Sequence, residues 1–272
     1  MKTIYLNKEN LSGWQKRASS NVMALGYFDG LHRGHCKVIE TARSIAEEKG
    51  LPLTVMSFFP HPKTVLSNGK EQVHYLMPLS EKEERLRKLG VDTFLIVEFD
   101  KEFAGLLPEQ FVGKYLIDLE VVHAVAGFDF SYGSKGAGNM DRLKSDSAGR
   151  VETTKVAKVT YRNEKIGSTC IREKLFCGNV EELPHLLGQA YEVKCQWNGT
   201  CLETDPDYLL PAPGRYAVTL KNEWGSAFAE LSVMEQAGGL SLSCGNLLKD
   251  FVEGPLTVTW HNRIVENAAV NV

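Results

Sequence analysis

The chain has 272 residues, 43% hydrophobic and 24% charged, with 31 Lys and Arg against 34 Asp and Glu for a formal charge of −3. This length supports one large domain or two smaller ones, and the slightly acidic balance argues against nucleic acid as main partner, because phosphate backbones select basic faces. No segment is apolar enough for a signal peptide or a membrane span, and Cys36, Cys170, Cys177, Cys195, Cys201 and Cys244 form no C-x-x-C pair, so a cytoplasmic protein with free thiols is expected.

Val22 to Leu25 is an apolar run that reads as a buried strand, broken at Gly26-Tyr27-Phe28-Asp29-Gly30. An amphipathic helix follows, with Val38, Ile39, Ala42, Ile45 and Ala46 on one face and Gly50 at its expected stop. Strand, glycine turn and helix together aim backbone N–H groups and the positive end of a helix dipole at an anion. His32 and His35 lie in this turn, three residues apart and so on one face once the helix has begun. Gly30 and Gly34 allow close approach of a ligand to the backbone. The simplest reading is a phosphate site with imidazole donors. Glycines serving only the turn are the bland alternative. Metal ligation by the histidines lacks the H-E-x-x-H pattern and any nearby cysteine at zinc spacing.

Leu51 to Phe58 reads as a second strand, which makes residues 22–58 a β-α-β unit of a parallel sheet. Ligands in such sheets bind at the carboxyl ends of the strands. Phe59-Pro60-His61-Pro62 follows, and its two prolines predict a rigid, extended loop. Ser80-x-x-Glu83 reads as a capping box opening a charged helix from Glu81 to Leu89, closed by Gly90. Thr93–Phe99 is a third strand, Pro108–Leu119 a helix with Phe111, Tyr115 and Leu116 on its apolar face, and Val121–Ala126 a fourth strand. This alternation predicts a doubly wound α/β domain.

The glycines between Gly127 and Asn139 predict a mobile loop at the sheet's carboxyl edge, and it is not a Walker A loop. Ile166-Gly167-Ser168-Thr169-Cys170-Ile171-Arg172 leads into a short helix with Leu175 and Phe176. Its hydroxyls serve either as caps or, with the arginine one turn on, as a phosphate grip. Residues 179–188, with Leu183, Leu186, Leu187 and Gly188, close the first domain. From Tyr191 onward the pattern turns β-rich, in Tyr216–Leu220, Ala227–Val233 and Leu256–Trp260, with turns at Pro211–Gly214 and Gly238-Gly239. A small antiparallel barrel or sandwich is expected over 189–272.

The run Gly26-x-Phe28-Asp29-Gly30-x-His32-x-Gly34-His35 resembles the signature of the H-x-G-H nucleotidyltransferases, in the form found in the FMN adenylyltransferase module of bacterial FAD synthetases. Those enzymes usually carry a riboflavin kinase module behind it. The resemblance extends over about residues 20–190. It implies that His32 and His35 donate to the ATP triphosphate, that Ser168, Thr169 and Arg172 hold its phosphates, and that Gly26, Phe28, Asp29, Gly30 and Gly34 bind the nucleotide. It further implies that Phe58, Pro60, His61 and Pro62 lie beside the flavin, and that Asp129 orients flavin or Mg²⁺. The family's I-S-S-T-x-I-R segment has a serine where this chain has Gly167, which implies weaker phosphate binding.

Pro213-Gly214-Arg215-Tyr216-Ala217 is similar to a strand of the riboflavin kinase barrel. The kinase signature G-x-P-T-A-N is absent, however, no Pro-Thr dipeptide occurs anywhere, and the tail is short for that module. The expectation is therefore a monofunctional FAD synthetase at 1–188 followed by a reduced kinase-like domain at 189–272. That domain would buttress the first or mediate self-association through contact with a second subunit. Two other readings stay open at this point: a nucleotidyltransferase for another phosphorylated acceptor, and a non-catalytic flavin or nucleotide sensor.

Overall fold

Six strands, Lys2–Leu6 (β1), Asn21–Leu25 (β2), Leu53–Phe59 (β3), Thr93–Glu98 (β4), Val121–Gly127 (β5) and Glu152–Val156 (β6), build one sheet in a computed structural model that describes residues 1–71, 73–236, 239–243 and 252–264. The order is β1-β4-β3-β2-β5-β6 and every neighbouring pair is parallel. β2 is buried at every position, which its unbroken apolar run requires of a strand covered on both faces. Met23 and Leu25 point into one core with Phe111, Val112, Tyr115, Met140 and Leu143. On the opposite face, helix Arg33–Lys49 lies against β2 and β5 and buries Val38, Ile39, Ala42 and Ala46. Ile45, expected on that face, is half-buried. Gly50 ends the helix in the left-handed conformation, φ 63°. The fold is the expected doubly wound α/β sheet, followed by an all-β domain.

Several local expectations are corrected. The sequence reading found four strands; β1 and β6 are edge strands, exposed at some positions and therefore without a continuous apolar run. Helix Leu79–Lys88 already contains Ser80, so this serine is not the cap that a capping box needs. Pro62 does not extend a loop: it opens a short helix, Pro62–Leu66, which His61 caps by accepting from the Lys63 N–H at 3.1 Å. The glycine-rich stretch is an ordered hairpin, Ser131–Tyr132 against Gly138–Asn139. Phe176 is 65% exposed, because Ile171 and Leu175, four apart, define the buried face of helix Ser168–Cys177.

The strands Glu192–Trp197, Leu202–Thr204, Gly214–Lys221, Ser226–Gln236, Gly239–Ser243 and Gly254–Ile264 close into a barrel. Alternation fills it: Tyr216, Val218 and Leu220 from one strand meet Leu256, Val258 and Trp260 from its neighbour inside. Gly238 and Cys244, named in the sequence reading, lie outside the described residues.

By packing, the chain divides into Met1–Val73 with Leu79–Thr160, and His74–Pro78 with Tyr161–Val272. Helix Ser168–Cys177 sits with the barrel because Arg263 donates to the carbonyls of Cys177 at 3.1 Å and Pro213 at 2.8 Å. The Ala212 N–H also reaches the Leu175 carbonyl at 2.9 Å.

Candidate active site

β2 ends level with its neighbours, Leu25 opposite Met56 and Ala126. The turn after β2, the segment after β3 and the hairpin after β5 therefore leave the sheet along one carboxyl edge, where α/β sheets bind ligands.

The turn after β2 is tightly built. Phe28 and Leu31 take left-handed backbone angles, φ 54° and 42°, and Gly30 takes φ 77°. Phe28, Asp29, Gly30 and Leu31 are all buried. A Cβ on Gly26 would stand 2.9 Å from the Phe28 ring, so the absence of a side chain at Gly26 admits this aromatic ring. Phe28 in turn meets the His35 ring edge-on, centroids 5.3 Å apart. The ring is a rigid back wall for the histidine.

His32 is the N-cap of helix Arg33–Lys49. Its Nδ1 accepts the backbone N–H of His35 at 3.2 Å. That bond assigns Nδ1 as an acceptor and leaves the ring N–H of the neutral imidazole on Nε2. The two imidazoles stack with centroids 3.6 Å apart and planes at 19°. The shared face expected from their spacing is a stacked pair at the positive end of a 17-residue helix.

Sequence reasoning missed Lys82. Helix Leu79–Lys88 packs on the Asp29–Leu31 turn, and Lys82 is 3% exposed. Its Nζ donates to the Tyr27 carbonyl at 3.0 Å and lies 5.0 Å from the Tyr27 ring centroid. Burial pushes its pKa down to about 8, against an opposing pull from the Asp29 carboxylate. The Tyr27 carbonyl also accepts from Ser57 Oγ at 2.7 Å. The Tyr27 ring meets His61 edge-on at 4.6 Å. Tyr27 thus joins the histidine turn to the Pro60-His61-Pro62 segment.

Of the residues expected near the flavin, Phe58 is partly buried against the core, 5.5 Å from Phe103 and 6.4 Å from Phe99 by ring centroids. Asp129 is exposed in the first turn of the loop after β5. The hairpin behind it is held by Tyr132, whose hydroxyl donates to Asp146 Oδ2 at 2.6 Å. Arg142 grips the same carboxylate at 2.8 and 2.9 Å and reaches Glu109 at 2.7 Å. Gly133, φ 72°, passes so close to Pro108 that a Cβ would collide with its backbone. Among the described residues no three His, Cys, Asp or Glu side chains converge as ligands, and an ion carried mainly by substrate phosphates needs only one or two carboxylates.

In the second unit, Gly167 occupies the N-cap position of helix Ser168–Cys177, with φ −162° and ψ 164° and no side-chain cap. Ser168 and Thr169 are therefore the first two helical residues, not caps. Arg172 Nη1 donates to the His74 carbonyl at 2.5 Å.

A family model of FAD synthetases matches residues 14–170. The chain belongs to the FAD synthetase family. It is 44% identical over 238 residues to a bifunctional riboflavin kinase/FMN adenylyltransferase of Listeria monocytogenes, spanning 81% of this chain and 74% of that one. A Bacillus subtilis protein of the same description is 47% identical over 234 residues, spanning 80% and 72%. A second Listeria monocytogenes protein, described as an FAD synthetase, is 34% identical over 203 residues, spanning 74% and 82%. Among solved structures, a macrolide-efflux protein from Streptococcus pneumoniae matches with a TM-score of 0.82 and 27% identity, over all of this chain and 94% of that one. Among the described residues of this chain, no helix is long and apolar enough to cross a membrane. Family membership makes the chain an enzyme, a nucleotidyltransferase with ATP and FMN as substrates and Mg²⁺ as cofactor.

Proposed function

We propose that this chain transfers AMP from ATP to the phosphate of FMN, giving FAD and pyrophosphate, and that it has no riboflavin kinase activity. The observation that carries the first part is the capped and stacked histidine pair. His32 Nδ1 is occupied by the His35 N–H at 3.2 Å, so the imidazole meets a triphosphate with a proton donor of fixed tautomer.

The chemistry needs little else from side chains. A phosphate monoester has a second pKa of about 6, so FMN is largely a dianion near neutral pH and attacks the α-phosphorus without a general base. One P–O bond forms, the bond to the β-phosphate oxygen breaks, and pyrophosphate leaves with the electron pair. Alignment of two anions and stabilisation of charge on the leaving group supply the catalysis. His32 and His35 donate to the triphosphate, and the helix behind them contributes its positive end. Gly26 and Phe28 hold His35 in place, while Asp29, Gly30 and Gly34 shape the nucleotide side of the turn. Phe58, Pro60, His61 and Pro62 form the flavin side. In the second unit Ser168, Thr169 and Arg172 offer hydroxyls and a guanidinium to phosphate oxygens. Asp129 would hold Mg²⁺, which neutralises phosphate charge when bound.

The second part rests on the tail. A phosphoryl-transfer site depends on a phosphate-cradling loop and a metal-binding hydroxyl, and the chain contains no Pro-Thr dipeptide with which to build the kinase signature. Cys36, Cys170, Cys177 and Cys201 are free thiols, which suits a reducing compartment, and we place the enzyme in the cytoplasm.

The test is chromatography of flavins after incubation with ATP and Mg²⁺ and either FMN or riboflavin. FAD from FMN and nothing from riboflavin is the expected result. FMN or FAD from riboflavin would overturn the monofunctional reading. No FAD from FMN would overturn the adenylyltransferase reading.

A further inference from the structure

A buried ammonium needs a reason, because an ion taken out of water is costly unless something fixed and charged repays it. Lys82, 3% exposed, points inward from a helix that is otherwise rich in solvated charges. What it reaches is the histidine turn: the Tyr27 carbonyl at 3.0 Å, the Tyr27 ring at 5.0 Å, and the field of Asp29, itself 2% exposed. Asp29 is three residues before His32. A carboxylate buried there has the same sign of charge as the triphosphate that the histidines are proposed to hold.

We propose that Lys82 is a positioning residue of the nucleotide site: its buried ammonium holds the Tyr27 carbonyl and offsets the Asp29 carboxylate, so that the turn accepts a polyphosphate. The proposal rests on the reading of this turn as the ATP phosphate site. Lys82 acts through the turn, and the link is specific. Tyr27 is held from one side by Lys82 and Ser57 and abuts His61 on the other.

The experiment compares the full-length wild type with Lys82→Met, Asp29→Asn and the double variant. It measures steady-state FAD formation and competitive inhibition by inorganic tripolyphosphate, a probe that lacks the adenosine. Lys82→Met is expected to raise the KM for ATP and the inhibition constant of tripolyphosphate by about tenfold or more, with the KM for FMN changed by less than about twofold. Adding Asp29→Asn recovers at least about half of that loss on a logarithmic scale, because the charge that Lys82 offsets is then gone. Equal losses for ATP and FMN, or strictly additive effects of the two substitutions, would overturn the proposal. If Lys82→Met does not fold, Asp29→Asn alone decides: freed of the carboxylate, Lys82 strengthens tripolyphosphate inhibition, and unchanged or weaker inhibition refutes the idea. A wild type that makes no FAD, yet binds tripolyphosphate in calorimetry with these same variant effects, would remove the proposed reaction and keep the role of Lys82.

Discussion

Replacing Lys82 by methionine should make the protein more stable at neutral pH. The folded state holds this lysine with a pKa of about 8, against 10.5 for the ordinary value, because burial disfavours its charge more than Asp29 favours it. That difference opposes folding by about 3 kcal/mol while the lysine is charged in both states. Methionine has a similar linear shape and no charge. It forfeits the bond to the Tyr27 carbonyl, about 1 kcal/mol, although Ser57 Oγ still donates to that oxygen at 2.7 Å. The net gain expected is about 2 kcal/mol. The sign reverses with alkali. Between the folded pKa of about 8 and the unfolded 10.5, the unfolded chain binds a proton that the folded chain has released, so wild-type stability rises with pH. The variant lacks that contribution, and its advantage shrinks across this window. Urea unfolding of the full chain near neutral pH and again about two pH units higher measures both effects. A variant less stable than wild type at neutral pH, or a difference that does not change with pH, would refute the reasoning.

Four further substitutions, at three positions, probe the site. His32→Ala should lower turnover by about a hundredfold or more and cost about 1 kcal/mol of stability, because it removes the cap of helix Arg33–Lys49. His32→Asn, which retains a capping side chain, should recover the stability and not the turnover; restored turnover would reduce His32 to a cap. Gly26→Ala places a methyl 2.9 Å from the Phe28 ring, so strain of about 1–3 kcal/mol and displacement of His35 should lower both the melting temperature and kcat, and a wild-type kcat would show that the Phe28 wall is dispensable. Gly167→Ser meets only Lys165 Cε at 3.7 Å and needs no change of the extended backbone. It should add a few tenths of a kcal/mol as a cap and lower the KM for ATP, whereas an unchanged KM would mean that the missing hydroxyl does not limit binding.

The central part of the fold was legible because it is dictated locally. β2 is buried along its whole length and so shows an unbroken apolar run, and Gly50 stops the following helix by its left-handed angle. The edge strands were not legible, since Glu152–Val156 has a single buried residue and carries no periodic signal. Charge patterns misled in the same way at Ser80 and Glu83, where the S-x-x-E pattern lies two residues too far into the helix to be a capping box. The hairpin of Ser131–Tyr132 and Gly138–Asn139 looked mobile because its glycines suggest freedom. Two of them instead permit close packing, Gly133 on Pro108 and Gly138 on the Tyr132 ring.

The site itself divides along the same line. The pairing of His32 and His35 could be anticipated from their type and short spacing, because a cap, a stack and a helix end are local devices. Lys82 could not, because its partner is 55 residues away and its neighbours Glu81, Glu83 and Glu84 make it look like one more solvated charge. A lysine that opposes folding and yet is aimed at the turn proposed to bind phosphate is the pattern expected where function is gained at the expense of stability. The stabilisation expected of Lys82→Met and the loss of triphosphate affinity expected of the same variant are therefore two readings of one charge. Observing the first without the second would leave Lys82 as a structural defect, whereas observing both would make the helix after residue 78 a working part of the nucleotide site.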